Sequence, residues 1–290
     1  MYLVLGGDGD SCCGLVRDGL EARGYAAQLV ANPLAEPARF SWWLDTSSSR
    51  SSLVLDEHTS APDEQVAGVL VLSPALLDSS GWRPSDFVYA QAETQAALLA
   101  WLWSLECPVV NRYPPHIWYR PRAPLVSWRR LLDSCGLSIP PTLVTNSEGD
   151  ARSFGREHAT GGLDGVVYGP LTSDVRYLVT SADDWKGLAA LQQVTPVCLS
   201  VPHEEPQRLC VVGGTVVWDG TPSFAMAALE PNLANFAAAV GLEFVELSLA
   251  AALGEVCVIA VETHPVLDAF TPDTRKRIVE QLVDVLLEPA

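Results

Sequence analysis

The sequence predicts an α/β protein built from several lobes, and three observations carry that expectation. Hydrophobic residues make up 48% of the 290, enough to bury a sizeable core and too many for a disordered chain. The N-terminus runs from an apolar strand through a helix-period segment to a second apolar strand, the βαβ opening of a doubly wound lobe. The C-terminal part instead sets strands beside one another before a final amphipathic helix, the pattern of an α+β lobe. A chain of this length accommodates one large domain or two to three lobes sharing a core, and the boundaries fall at 1–115, 116–197 and 198–290.

In the first lobe, YLVL at 2–5 reads as a buried strand, GGDGDS as a turn, and CGLVRDGLEARGY as a helix closed by Gly24. The glycines Gly6, Gly7 and Gly9 do not match G-x-G-x-x-G, so a tight strand-to-helix turn explains them better than phosphate binding. AAQLVA is the next strand. Residues 44–66, rich in Ser, Asp and Glu, read as a surface hairpin or loop. VAGVLVLSP is an apolar strand, residues 86–105 form a long helix, and CPVVNRYPP is a short strand with its exit.

In the second lobe, SWRRLLDSCGL is expected as a helix capped at Ser127 and ended by Gly136. IPPTLVTNS is a strand, ARSFGREHATG a short helix, and GVVYGPL with VRYLVT a hairpin. SADDWKGLAALQQV is a helix with Ser181 as N-cap. The third lobe holds RLCVVGGTVVWDG, a helix near 232–240, FVELSLAA, GEVCVIAVETHP and the amphipathic helix DTRKRIVEQLVDVLL.

The net charge is −17, from 35 acids against 18 bases, which argues against nucleic acid or an anionic membrane as partner. Arg120, Arg122, Arg129 and Arg130 are the nearest thing to a basic patch and read as a solvated face. No apolar run reaches the roughly 18 residues of a membrane span, and no basic segment precedes YLVL, so no signal peptide is expected. The seven cysteines, at 12, 13, 107, 135, 198, 210 and 257, include no C-x-x-C pair. They read as buried thiols of a reducing cytoplasm. The histidines show no metal-ligand spacing.

Three stretches, taken in order, resemble the ATP-grasp superfamily, with a layout nearest the RimK-like and graspetide-type peptide ligases. In VVNRYPPHIWYRPRAPLVSWRRLLDSCGLSIPPTLVTN, an Asn-containing strand precedes a helix that ends at Gly136. Pro140, Pro141, Thr142 and Thr145 then stand where the family has x-x-P-x-T-x-x-T. PVCLSVPHEEPQRLCVVGGTVVW is similar to the adenine-linker strand and the following Arg-bearing strand, with Arg208, Val212 and Gly213 matching. GLEFVELSLAAALGEVCVIAVETHPVLDAF is similar to the strand–turn–strand that carries metal-binding acids, with Pro265 and residues 256–262 matching. The resemblance covers about two thirds of the chain, and an N-terminal Rossmann-like lobe is compatible with it.

The resemblance implies ATP and Mg2+ as cofactors and the joining of a carboxylate to an amine, a charge-heavy reaction that needs metal and cations around the phosphates. Most of the implied groups are replaced. The first phosphate-binding lysine falls on Leu125, with Arg122 three residues away as the nearest substitute. The second falls on Tyr168, which offers a hydroxyl but no charge, and the loop after it is reduced to PLTSD. The two lysines of the chain, Lys186 and Lys276, read as solvated. The adenine linker is reduced to LSVP around Val201, where only backbone groups are left to pair with a base.

Arg208 is retained at the position that implies contact with the reacting oxygens, and pairing with Glu204 or Glu205 is the alternative. For the metal the resemblance leaves Glu262 and Glu246. Strand alternation puts Val256, Val258, Ala260 and Glu262 on one face, and Glu246 needs a bulge to join the site.

The expected function is therefore an ATP-grasp-fold protein with a degenerate site. It would be non-catalytic or weakly nucleotide-binding, and would act with a peptide or a companion enzyme in peptide or protein modification. The alternative is an active carboxylate–amine ligase with a rearranged site. Trp42, Trp43, Trp101 and Trp103 are candidate partner contacts if they lie outside the core, and a homodimer stays open.

Overall fold

Four apolar residues open the chain as strand β1 (Tyr2–Leu5), followed by helix α1 (Ser11–Ala22) and β2 (Ala27–Val30). The computed structural model describes residues 1–6, 11–34, 38–46, 49–55, 59–72, 77–119, 123–158, 165–171 and 175–288. Strands β3 (Arg39–Leu44), β4 (Ser49–Val54) and β5 (Ser60–Pro62) come next, then β6 (Gly68–Val71), α2 (Pro84–Ser104), β7 (Val109–Val110) and the single turn α3 (Pro115–Trp118). The first sheet is parallel in the order β2-β1-β6-β7. Tyr2, Val4 and Leu70 share a core with Val16 and Leu20 of α1, while Leu3, Leu5 and Val69 share another with Leu98 and Leu102 of α2. With both faces covered, the strands read as unbroken apolar runs.

The Ser-rich segment is more ordered than a loop. β3, β4 and β5 form a three-stranded antiparallel sheet that packs on α2 through one indole. Phe40 meets Trp101 edge-on at 5.5 Å, and Trp101 Nε1 donates to Ser51 Oγ at 2.9 Å. Trp101 is buried, Trp42 is half-buried, and Trp43 and Trp103 are more than half exposed.

The middle of the chain adds α4 (Leu125–Ser134), β8 (Thr142–Thr145), α5 (Glu148–Glu157), β9 (Val166–Gly169), β10 (Tyr177–Val179), α6 (Ala182–Gln192) and β11 (Val197–Ser200). The second sheet is antiparallel, ordered β10-β9-β11-β8. α6 begins at Ser181 in a reciprocal capping box with Asp184. α4 corrects the expected cap at Ser127. Its cap is Pro124, three residues earlier, and Ser127 Oγ turns back onto the Pro124 carbonyl. At its other end Gly136 (φ +74°) sits in the left-handed region. Leu137 N–H reaches Leu132 O at 2.9 Å and Gly136 N–H reaches Asp133 O at 3.0 Å, the paired bonds of a Schellman close.

The last part holds β12 (Gln207–Val212), β13 (Thr215–Trp218), α7 (Phe224–Ala227), α8 (Glu230–Val240), β14 (Phe244–Ala252), β15 (Glu255–Glu262) and α9 (Pro272–Leu287). Its sheet is antiparallel in the order β13-β12-β14-β15. Ile278, Leu282, Val283 and Leu286 of α9 enter the same core as Cys12, Val16 and Leu20, so the last helix packs on the first.

Asn111, at the exit of β7, ties the first sheet to this last one. It is fully buried at φ +60°. Its Nδ2 donates to Phe244 O at 2.8 Å and its Oδ1 accepts from Phe244 N at 2.8 Å, while its own N–H reaches Glu243 Oε2 at 2.9 Å. One side chain thus imitates a two-bond strand pairing across the lobes. The second sheet packs on a smaller core, centred on Phe154, Val166, Leu188 and Leu199, which Ala252 and Cys257 of the last sheet join.

Among the described residues no helix is long and apolar enough to cross a membrane. Lys186 pairs with Asp183 and Lys276 with Glu280 on open surface, as expected. Cys107, Cys135, Cys198, Cys210 and Cys257 are free thiols.

Candidate functional site

On β12, Leu209 and Val211 point into the core shared with the N-terminal sheet, which leaves Arg208, Cys210 and Val212 on the opposite face. The register sets Arg208 against Ser248 and Cys210 against Glu246 of β14. On β15, Glu262 stands opposite Glu246 and Ala260 opposite Ser248, but Leu249 pairs with Val258. Ile259 is therefore an extra residue, a β-bulge.

The bulge corrects the expected alternation. Val256, Val258 and Val261 go with one core, and Glu262 lies on the other face, with Arg208 and Glu246. The condition under which Glu246 can join Glu262, a bulge, is met on the partner strand. Nothing in the run EVCVIAVE signals it, because apolar residues fill both phases of the alternation.

This charged stretch is roofed by the chain itself. Val266 N–H donates to Glu246 Oε2 at 3.3 Å, and Arg208 Nη1 donates to Ala269 O at 3.0 Å. Glu246 is buried, and burial pushes its carboxyl up to about 7. The Val266 N–H and the Arg208 charge oppose that rise, while Glu262 and Asp219 add to it. Asp219 accepts from Thr271 N–H at 3.1 Å and from Thr271 Oγ1 at 2.7 Å. The bonds from Thr271 and Thr274 and the nearby Arg208 hold its carboxyl below the usual range despite partial burial. Sequence reading missed Asp219. It lies one residue past β13, and no spacing signal singles it out. The Arg208 charge acts on Glu246 and Asp219 rather than on Glu204 or Glu205, the alternative partners. Among the described residues no group of three or more His, Cys, Asp or Glu side chains is placed to hold a metal ion.

The second sheet, the start of α4 and Ile259 of β15 enclose a cleft of about 60 Å³, lined by Leu125, Thr142, Val167, Arg176, Cys198 and His203 among others. Leu125 opens α4 and faces the cleft, as the sequence implied. Tyr168 does not. Val167 lines the cleft, and the adjacent Tyr168 packs on the helix-side core and stacks on Tyr177 at 5.2 Å. The reason is the two-residue period of a strand: Tyr168 pairs with Leu199 on the core side, and Val167 pairs with Ser200 on the cleft side.

Val201 is fully buried in the same core, and its N–H goes to Pro141 O at 3.3 Å. The next residue is Pro202, which has no N–H to offer a base. Arg122, Gly7, Gly9 and part of the PLTSD loop lie outside the described residues.

The lobes clasping a cleft, the antiparallel second and C-terminal sheets and the order of strands define the class: the chain has the ATP-grasp fold. Solved structures similar to it sharpen that assignment. The macrocyclase MdnC from Microcystis aeruginosa MRC, bound with its precursor peptide MdnA, superposes with a TM-score of 0.74 at 16% identity over 98% of this chain and 100% of that one. A RiPP-associated ATP-grasp ligase from Chryseobacterium gregarium, in complex with ADP and a leader and core peptide, gives 0.72 at 17% identity over 98% and 96%. A RimK domain ATP-grasp protein from Sphaerobacter thermophilus gives 0.58 at 19% identity over 99% and 100%. No family model matches the chain, and no curated protein matches it by sequence.

Proposed function

We propose that this chain is a degenerate ATP-grasp-fold protein that acts as a non-catalytic, or at most weakly nucleotide-binding, partner in peptide modification. The observation that carries this reading is the cleft wall, where Leu125 and Val167 stand at or beside the two positions that would need phosphate-binding cations. Magnesium–ATP brings several negative charges that need cations and metal-binding oxygens around them. The described residues set against it a wall of Leu125, Val167 and Ile259 on which Arg176 supplies the cation, a linker whose Val201 N–H is already used, and a cleft far smaller than the roughly 300–1,000 Å³ of ordinary ligand pockets. This donor set does not fit magnesium–ATP. The similar structures held with precursor peptides support a peptide as partner.

Calorimetry with magnesium and ATP, and with ADP, tests the reading. No binding at millimolar nucleotide is expected, and micromolar magnesium-dependent binding would falsify it.

One observation favours the second reading, an active carboxylate–amine ligase with a rearranged site: Arg208, Glu246 and Glu262 share one sheet face. In that case Arg208→Ala and Glu262→Ala each abolish ADP release with carboxylate and amine substrates. If both variants keep full turnover, this assignment of the site is wrong.

A further inference from the structure

The roomier cavity is not the cleft. A groove of about 500 Å³ lies on the opposite side of the second sheet, between α5 and α6, lined by Gly149, Arg152, Arg156, Thr180 and Trp185 among others. The three- and four-residue spacings put Gly149, Arg152 and Arg156 on one face of α5, while Ala151 and Phe154 point into the core. Gly149 leaves the groove open, since a Cβ there would meet only Ser147 Oγ at 3.8 Å. Arg152 lies over the Trp185 ring, 5.2 Å from its centroid, and its Nε donates to Glu148 Oε1 at 2.8 Å.

Donors are left over. Among the described residues the terminal amino groups of Arg152 make no hydrogen bond. Arg156 makes one, from Nη2 to Ser153 Oγ at 3.1 Å, and forms no ion pair. The acids beside the groove are engaged: Glu148 with Arg152, and Asp184 with the Thr180 and Ser181 N–H groups at the start of α6.

We infer that this groove docks an extended acidic peptide segment with carboxylates two residues apart. A guanidinium fork matches a carboxylate in two-point geometry. Residues four apart on a helix root their side chains about 5–6 Å from each other. Alternate residues of an extended chain emerge on one side about 6.6 Å apart, so a Glu-x-Glu segment meets Arg152 and Arg156 together. The stretch from Gly149 to Arg156 is about 10 Å long, room for three extended residues. A chain of charge −17 repels acidic peptides in general, so attraction has to come from a local site. The inference rests on the peptide-partner reading and is independent of nucleotide binding.

The test is fluorescence anisotropy at low salt with labelled Gly-Glu-Ala-Glu-Gly, its Gln counterpart, and a peptide with the two Glu adjacent. The Glu-x-Glu peptide is expected to bind, to weaken as salt rises, and to lose at least tenfold in affinity with Arg152→Gln/Arg156→Gln. Both side chains are exposed, so the fold is kept. Equal binding of either control peptide, or no binding at 1 mM on the scale of weak contacts, overturns the inference. Binding that the double variant leaves unchanged overturns this groove but leaves the peptide-partner reading standing. Tight nucleotide binding does the reverse.

Discussion

On the C-terminal sheet, Arg208, Glu246 and Glu262 keep a polar face whose charges are answered from within, by Val266, Ala269 and one another. Across from Ile259 of β15, the cleft is lined by Leu125 of α4 and Val167 of β9, with Arg176 beside them. The two regions thus differ in chemistry while their backbones stay superposable on the same fold. Geometry is held by packing and main-chain bonds, which tolerate many side chains. Binding a polyanion needs particular charges at particular points. The scaffold can persist after those charges are gone.

The largest test asks whether the polar side owes its geometry to the weld at Asn111. Asn111→Ala leaves both Phe244 backbone groups without their partner and places alanine at positive φ. A loss of about 4 kcal/mol is expected in urea unfolding, and a loss below ~1 kcal/mol breaks the idea of a weld.

Next comes pH. The Glu246 carboxyl titrates near 4.5 in the unfolded chain and at about 7 in the fold, so folding favours its protonated form. Its contribution is fully present below about pH 4.5 and fades as pH rises through 7, by about 3 kcal/mol at pH 8. Glu246→Gln should flatten that slope, changing little at pH 4 and raising the urea midpoint at pH 8. A variant with the parent's pH dependence would show that the carboxyl is not the source.

A smaller effect is expected from returning charge to the apolar side. Leu125→Lys/Val167→Lys should raise ATP affinity at least tenfold, about 1.4 kcal/mol, by calorimetry. An unchanged affinity would mean that cleft size, not missing cations, excludes nucleotide. The smallest effect is that of Arg208→Gln. Its bond to the Ala269 carbonyl is exposed and worth about 0.5 kcal/mol, and a much larger loss would make Arg208 a structural pillar of the polar side.

Much of the fold was legible because local signals agreed with it. YLVL, the Ser181 cap, the Gly136 close and the periodicity of α9 each state their structure within a few residues. The site was less legible because it depends on phase. Whether Val167 or Tyr168 faces the cleft turns on which residue pairs with Ser200, and that is decided by a strand some thirty residues away. The segment 44–66 could be read only as far as a surface hairpin or loop, for a related reason. Ser51 and Leu53 belong to a strand because Trp101, distant in sequence, gives them a face to cover.

The bulge at Ile259 has a consequence for how such a chain drifts. Side-chain replacement can swap a group in place, but only a change in residue count rotates every later side chain on a strand by half a turn. Removing Ile259 would leave a regular ladder in which Val258 and Ala260 follow one another and Glu262 still faces Glu246. With Ile259 in place, the pairing of the two acids rests on the bulge that absorbs it, since strict alternation through that residue would put Glu262 on the opposite face.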